Sequence, residues 1–247
     1  TLIKMSFYYK KMRKNYAVIA AGGLGTRLKN FEGNLHTKVL IDIDGFSMIS
    51  SQINQLQNWG LKDFIVITNP EFHDLIVRDI YTNFKNINIS FVTQTAPKGI
   101  ADALSYAESE VEEDSIITFI LGDNFFGENP LKAENYENFK GAKIFATNVE
   151  NPQEFGVMEL NSQKKLIDLH EKPDNFISSL AVVGLYLYDK SCFEFIKKLK
   201  PSFRGELEVT DLNKLYLSKN LLSYEVIDSW WIDAGTEDRI NELKNLI

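Results

Sequence analysis

Residues 16–38 read YAVIAAGGLGTRLKNFEGNLHTK. A strand-length apolar run, Tyr16 to Ala21, passes straight into a glycine-rich turn, then Thr26 and Arg27, then Lys38 eleven positions after the arginine. An apolar run leading into such a turn is the opening of an α/β unit whose parallel strand is buried on both faces. Gly22, Gly23 and Gly25 allow close backbone approach, so several N–H groups can converge on phosphate oxygens, and Thr26, Arg27 and Lys38 add a hydroxyl and two charges. The stretch lacks the Gly-Lys-Ser/Thr end of a P-loop and the third glycine of a dinucleotide fingerprint. Taken alone it is also compatible with a plain strand-to-helix turn that exposes an arginine and a lysine.

Working outward, strand-length runs recur at 16–21, 39–43, 63–68, 87–92, 115–121 and 142–149, and apolar stripes at helical spacing lie on 47–59 (Ile49, Ile53, Leu56) and 99–111 (Ile100, Ala103, Leu104, Ala107, Val111). Alternation of strand and helix predicts a doubly wound, mostly parallel sheet with ligands at the carboxyl ends of its strands. After about residue 150 the rhythm changes to three successive strand segments, 156–160, 165–170 and 180–188, read as a small antiparallel insertion partly covering the open face of the sheet. Helices at 191–199 and 210–219, a strand at 221–227 and a helix from Thr236 complete the chain.

With 247 residues, 44% of them hydrophobic, the chain is long enough for one large α/β domain. Residues 1–15 are read as an N-terminal extension and 16–247 as a single domain, with a first part at 16–150, a second at 151–235 and a C-terminal helix at 236–247. The net charge of -7 is scattered, which argues against a nucleic-acid surface and leaves any phosphate site as a local basic pocket. One cysteine, Cys192, excludes an internal disulfide framework, and His36, His73 and His170 are too far apart in sequence for a zinc motif. No apolar run approaches the roughly 20 residues needed to span a bilayer, and residues 1–11 lack a signal-peptide pattern, so a cytoplasmic location is expected.

Three further motifs carry carboxylates. Leu121-Gly122-Asp123-Asn124 closes the apolar run at 116–121 and sets Asp123 where an α/β sheet holds its ligands. Trp231-Ile232-Asp233-Ala234-Gly235-Thr236 offers Asp233 as a second oxygen ligand for a hard cation such as Mg²⁺, or else as a helix cap. Trp230 and Trp231 are read mainly as packing residues. Glu171-Lys172-Pro173 supplies an acceptor for hydroxyls and a cation for a phosphate, or only an exposed ion pair before a proline turn.

Together the motifs resemble the sugar-1-phosphate nucleotidylyltransferases, most closely the glucose-1-phosphate thymidylyltransferase branch. The carriers are AAGGLGTRL with Lys38, Gln94 with Gly99, LGDN at 121–124, EFGVMELN at 154–161, HEKP at 170–173, AVVGLYLYD at 181–189, LKPSFRGELEVTDLN at 199–213 and WIDAGT at 231–236. The resemblance implies a Rossmann-like sheet of the nucleotide-diphospho-sugar transferase type, with 16–150 as its nucleotide-binding part and 151–235 as its mainly sugar-binding part. It further implies transfer of a nucleotidyl group from a nucleoside triphosphate, best dTTP, to a sugar-1-phosphate, best glucose-1-phosphate. Gly22, Gly23, Gly25, Thr26, Arg27 and Asp123 would hold the triphosphate, and Gln94 and Gly99 would read the base. Gly156, Glu171, Lys172 and Val182 would surround the sugar and its phosphate. Arg27, Lys38 and Lys172 would be catalytic, and Asp123 and Asp233 would hold Mg²⁺. Partners are then two small molecules, with neither nucleic acid nor membrane, in a chain compatible with a homo-oligomer. The chain stops about ten residues after WIDAGT, without the further helices of longer thymidylyltransferases, so regulation through those helices is not expected. UTP, CTP or GTP with another sugar phosphate, a non-catalytic nucleotide- or sugar-sensing module, and a dinucleotide-dependent oxidoreductase using Asp42 or Asp44 are the competing readings.

Overall fold

The computed structural model describes residues 13–23 and 37–247. Its elements are β1 (Asn15–Ala20), β2 (Asp42–Ile43), β3 (Phe46–Ser47), α1 (Met48–Asn58), β4 (Asp63–Thr68), α2 (His73–Asn83), β5 (Asn88–Thr93), α3 (Ile100–Ser105), β6 (Ile116–Leu121), β7 (Asn124–Phe126), β8 (Ala142–Asn148), β9 (Gly156–Leu160), β10 (Leu166–Glu171), β11 (Leu180–Asp189), α4 (Ser191–Ile196), α5 (Val209–Ser218), β12 (Leu222–Val226), β13 (Trp231–Asp233) and α6 (Glu237–Leu246). Gly25, Thr26 and Arg27 lie outside the described residues, as does most of the expected N-terminal extension.

In β1 the two faces are both apolar, and the period-2 alternation sends them into different cores. Tyr16 and Val18 join a cluster under α3, α4 and α5, whereas Ala17 and Ile19 join one under α1 and α2. Parallel pairing carries the pattern to β4, β5 and β6. The sheet therefore has helices on both faces. In α1, Ile49, Ile53 and Leu56 are fully buried, each contributing on the order of 1.5–3 kcal/mol relative to exposure. Ser47 caps that helix by accepting from the Ser50 amide at 3.1 Å, and Gly60, at φ 92°, follows its end.

The strand order is β10-β9-β11-β6-β1-β4-β5, with β8 on the far edge of β11 and β12 parallel to β8. One edge of β11 changes partner along its length: Leu185–Asp189 pair with β6, but Ala181 pairs with Val157 of β9. The antiparallel strands of the second half are thus continuous with the main sheet, β11 lying within it, rather than only covering its open face. Between the two partners the sheet opens at the carboxyl end of β6. A third cluster, Ile41, Ile43, Met48, Phe125, Ile232, Ala234, Ile240 and Leu243, seats α6 and the two-stranded β7–β13 ribbon beside that opening.

Several local expectations change. Residues 39–43, expected as one strand, form a 3-10 turn at 38–40 and the two-residue β2, because Asp44 and Gly45 take positive φ and fold β2 back onto β3. The helix expected over 99–111 ends at Ser105, whose hydroxyl donates to the Asp102 carbonyl at 2.6 Å, and a 3-10 turn follows at 108–110. The helix expected at 191–199 ends at Ile196. Helix α2 has only Ile76 and Ile80 fully buried, too thin a stripe to stand out in the sequence. Cys192 is fully buried, and burial pushes its thiol well above the ordinary range. No helix among the described residues is long and apolar enough to cross a membrane.

Candidate functional site

A cleft of about 570 Å³ occupies the opening at the end of β6. Asp123, Asp233, Gly156, Glu171, Lys172 and Val182 all line it. The two aspartates, far apart in sequence, meet because β13 pairs antiparallel with β7, Asp233 opposite Asn124, and the Ala234 amide donates to the Asp123 carbonyl at 2.7 Å.

Asp123 is only 9% exposed. Its burial pushes the carboxyl up, but the Lys38 ammonium paired with it and the Asn124 amide, which donates to Oδ1 at 2.8 Å, hold it below the usual carboxylate range. Lys38 stands at the start of the 3-10 turn, and its ion pair joins that turn to the LGDN motif.

Asn124 bridges the divided sheet. Its Oδ1 accepts from the Gly184 amide at 2.9 Å and from the Trp231 indole at 2.7 Å. A Cβ at position 184 would lie 2.6 Å from that oxygen, so glycine here is a space requirement. Trp231 also packs edge-on to Phe155, while Trp230 packs over Gly127. Trp231 alone of the pair lines the cleft.

On the other wall, Glu171 ends β10, its Oε2 accepting from the Thr210 hydroxyl at 2.6 Å and its Oε1 from Arg204 Nη2 at 3.2 Å. Arg204 is itself held by Glu208, through Nε at 3.1 Å and Nη2 at 2.8 Å. Lys172 has φ 42°, a conformation that costs a non-glycine residue about 1–2 kcal/mol. Its amide donates to the Phe155 carbonyl at 3.0 Å, which fixes the turn. Tyr186 also lines the cleft, and burial, together with the charges of Glu171 and Asp123, pushes its phenol up so that it stays neutral. Arg204, Thr210 and Tyr186 carried no assigned role in the sequence reading. The signal available was Arg204 standing beside Gly205 within LKPSFRGELEVTDLN.

The remaining expected residues gather at the ends of β1, β4 and β5. Asn69 donates to the Gly22 carbonyl at 3.2 Å, the Gln94 amide N–H to Thr68 at 2.8 Å, and Gln94 Nε2 to the Gly99 carbonyl at 3.3 Å. The Gly23 carbonyl is met by the Thr37 hydroxyl at 3.5 Å, so the described ends of the glycine loop adjoin. Gly99 has φ 106° and a Cβ there would lie 2.5 Å from the Leu207 carbonyl. Its neighbours clasp Leu207 by two backbone hydrogen bonds, Leu207 N–H to Lys98 and Ala101 N–H to Leu207. The segment carrying Arg204 is in this way fastened to the end of β5. Glu171, Lys172 and Arg204 line the cleft with Asp123 and Asp233, and Lys38, paired with Asp123, links it to the ends of β1, β4 and β5 where Gly22, Gly23 and Gln94 stand.

A doubly wound sheet with two aspartates brought together beside a charged cleft fits a nucleotide-handling transferase, and the comparisons show the family. The nucleotidyl transferase family profile matches residues 16–247. The chain belongs to the nucleotidyl transferase family and is a nucleotidyltransferase enzyme. It is 36% identical over 237 residues to the glucose-1-phosphate thymidylyltransferase of Neisseria meningitidis, covering 93% of this chain and 81% of that protein. The enzyme of the same name from Mycobacterium tuberculosis is 34% identical over 238 residues, with the same shares covered. A Bacillus anthracis protein assigned as a glucose-1-phosphate thymidylyltransferase and solved with sucrose superposes with a TM-score of 0.84 at 35% identity, covering 94% of both chains.

Proposed function

We propose that this enzyme transfers a nucleotidyl group from a nucleoside triphosphate, dTTP in the first instance, to a hexose-1-phosphate, glucose-1-phosphate in the first instance, with release of pyrophosphate. The carrying observation is the meeting of Asp123 and Asp233 in one cleft between Lys38 and the Glu171, Lys172 and Arg204 group. The names borne by the relatives support the choice of substrates.

The sugar phosphate oxygen is anionic near neutral pH, so it needs no protein base. It forms a bond to the α-phosphorus while the bond from that phosphorus to the bridging oxygen of pyrophosphate breaks in line. Lys38, and Arg27 from outside the described residues, counter the charge of the triphosphate, and Lys172 and Arg204 that of the sugar phosphate. Glu171 and Thr210 offer acceptor oxygens to sugar hydroxyls. Gln94 meets the edge of the base. Because ion pairs and hydrogen bonds within the fold hold Lys38, Arg204, Glu171 and Thr210, their contribution is positioning and fixed charge.

The residues present suit Mg²⁺: two carboxylates on adjoining backbone, both lining the cleft and one nearly buried and already balanced by an ammonium, are hard oxygen donors. When bound, Mg²⁺ would neutralise charge on the reacting phosphates.

The test is pyrophosphate release with dTTP, glucose-1-phosphate and Mg²⁺, repeated with UTP, CTP and GTP and with other hexose phosphates. The thymine methyl separates thymine from uracil by only about 1 kcal/mol of apolar contact, so dTTP and UTP are both expected to react. Asp123→Asn, Asp233→Asn and Lys38→Ala should each lower turnover by about 10²–10³ in folded protein. Full activity in both aspartate variants would remove the metal assignment, and no turnover with any pair would remove the reaction.

A further inference from the structure

We propose that Asp102 is a positioning residue for base selectivity: it fixes Gln94 with the amide nitrogen turned inward and the carbonyl oxygen turned toward the base. This rests on the reading above that Gln94 meets the base edge.

A glutamine amide carries two N–H donors on one end and an acceptor on the other, and it recognises different bases in its two orientations. In this chain the choice is made by the neighbours. Gln94 Nε2 donates to Asp102 Oδ2 at 2.8 Å and to the Gly99 carbonyl at 3.3 Å, so both hydrogens are used. A carboxylate and a carbonyl only accept. Turning the amide over would lose both bonds and set oxygen against oxygen at each. Neither acceptor is free to retreat: Asp102 lies in the first turn of α3, and Gly99 is braced against the Leu207 backbone.

Oε1 is left over. No donor among the described residues reaches it, and a Cβ on Gly22 would stand 3.6 Å away, which sets the oxygen beside the end of β1 where the glycine turn begins. Gln94 is 9% exposed, so little water competes there. A pyrimidine that turns its N3 to this fixed acceptor must supply an N–H there. The imide N3–H of thymine or uracil does so. Cytosine presents a lone pair at N3, which opposes Oε1. Asparagine at position 102 offers either a donor or an acceptor and so releases the amide to turn.

The experiment uses the full chain and steady-state pyrophosphate release with dTTP, UTP and CTP, with calorimetric binding of each nucleotide. In Asp102→Asn the ratio of kcat/KM for the preferred imide nucleotide to that for CTP should fall at least tenfold. The loss for the imide nucleotide should appear in KM rather than kcat, because the amide is remote from the reacting phosphorus. In a Gln94→Ala background the same substitution should change the ratio less than twofold, since Asp102 acts through that amide. Asp102→Ala, which removes the acceptor without adding a donor, should shift selectivity the same way by less, and it serves if the asparagine variant does not fold. An unchanged ratio in the folded Asp102 variants, equal losses with and without Gln94, or a loss confined to kcat would overturn the proposal. Those results leave the wild-type activity standing, whereas absence of nucleotide binding by the wild type would overturn the proposed function and this inference together.

Discussion

Asn124→Ala is the substitution that asks most of the architecture. The side chain is 2% exposed and makes three hydrogen bonds: Gly184 N–H and Trp231 Nε1 donate to Oδ1 at 2.9 and 2.7 Å, and Nδ2 donates to Asp123 at 2.8 Å. Removing it strands two donors. A stranded buried donor costs about 1–3 kcal/mol. The Gly184 amide lies inside the sheet, while Trp231 borders the cleft where water can replace its partner. The full cost applies to the first and part of it to the second, which gives a loss of about 2–4 kcal/mol. Urea unfolding followed by tryptophan fluorescence and far-UV circular dichroism measures it, provided the two transitions coincide. Gly184→Ala attacks the same bonds from the other side, because its Cβ would lie 2.6–2.8 Å from the three terminal atoms of Asn124. The double variant should therefore lose less than the two single losses combined. A loss below about 1 kcal/mol in Asn124→Ala, or strict additivity with Gly184→Ala, would refute the view that Asn124 closes the divided sheet.

Other outcomes follow from the same geometry. Gly99→Ala, strained at φ 106° and driven against the Leu207 carbonyl, should destabilise by at least about 2 kcal/mol and speed proteolysis within 199–208, read by mass spectrometry of early fragments. Arg204→Gln leaves the largely buried Glu208 carboxylate without its cation and should cost about 1–2 kcal/mol in urea unfolding, with an increased KM for the sugar phosphate. Cys192, buried and with its thiol pushed well up, should resist a thiol-specific reagent in native protein at pH 8 and react once the protein is unfolded, as absorbance titration would report.

The strands that read clearly in the sequence were those whose neighbours did not matter. Residues 63–68 and 156–160 match β4 and β9 at both ends, since an apolar run bounded by turn residues needs only burial to become a strand. Residues 39–43 have the same local character, but the Asp44-Gly45 turn supplied a closer partner in β3. β7 and β13 hold three residues each, too few for any periodicity, although their pairing is what assembles the site.

The sequence by itself determined the class of sheet and the chemical inventory of the cleft, because strand burial is a local property and each motif carries its own charges. Only the tertiary structure decided which carboxylates share a cavity and who stands beside them. Asp123 and Asp233 meet through a backbone pairing, Lys38 reaches Asp123 across the end of β6, Arg204 faces Glu171, and Asp102 turns the Gln94 amide. The first three of these juxtapositions depend on strand order, a long-range choice in which hydrogen bonds and charge pairs are satisfied only after the chain has closed, whereas Asp102 and Gln94 meet across the short turn from β5 into α3.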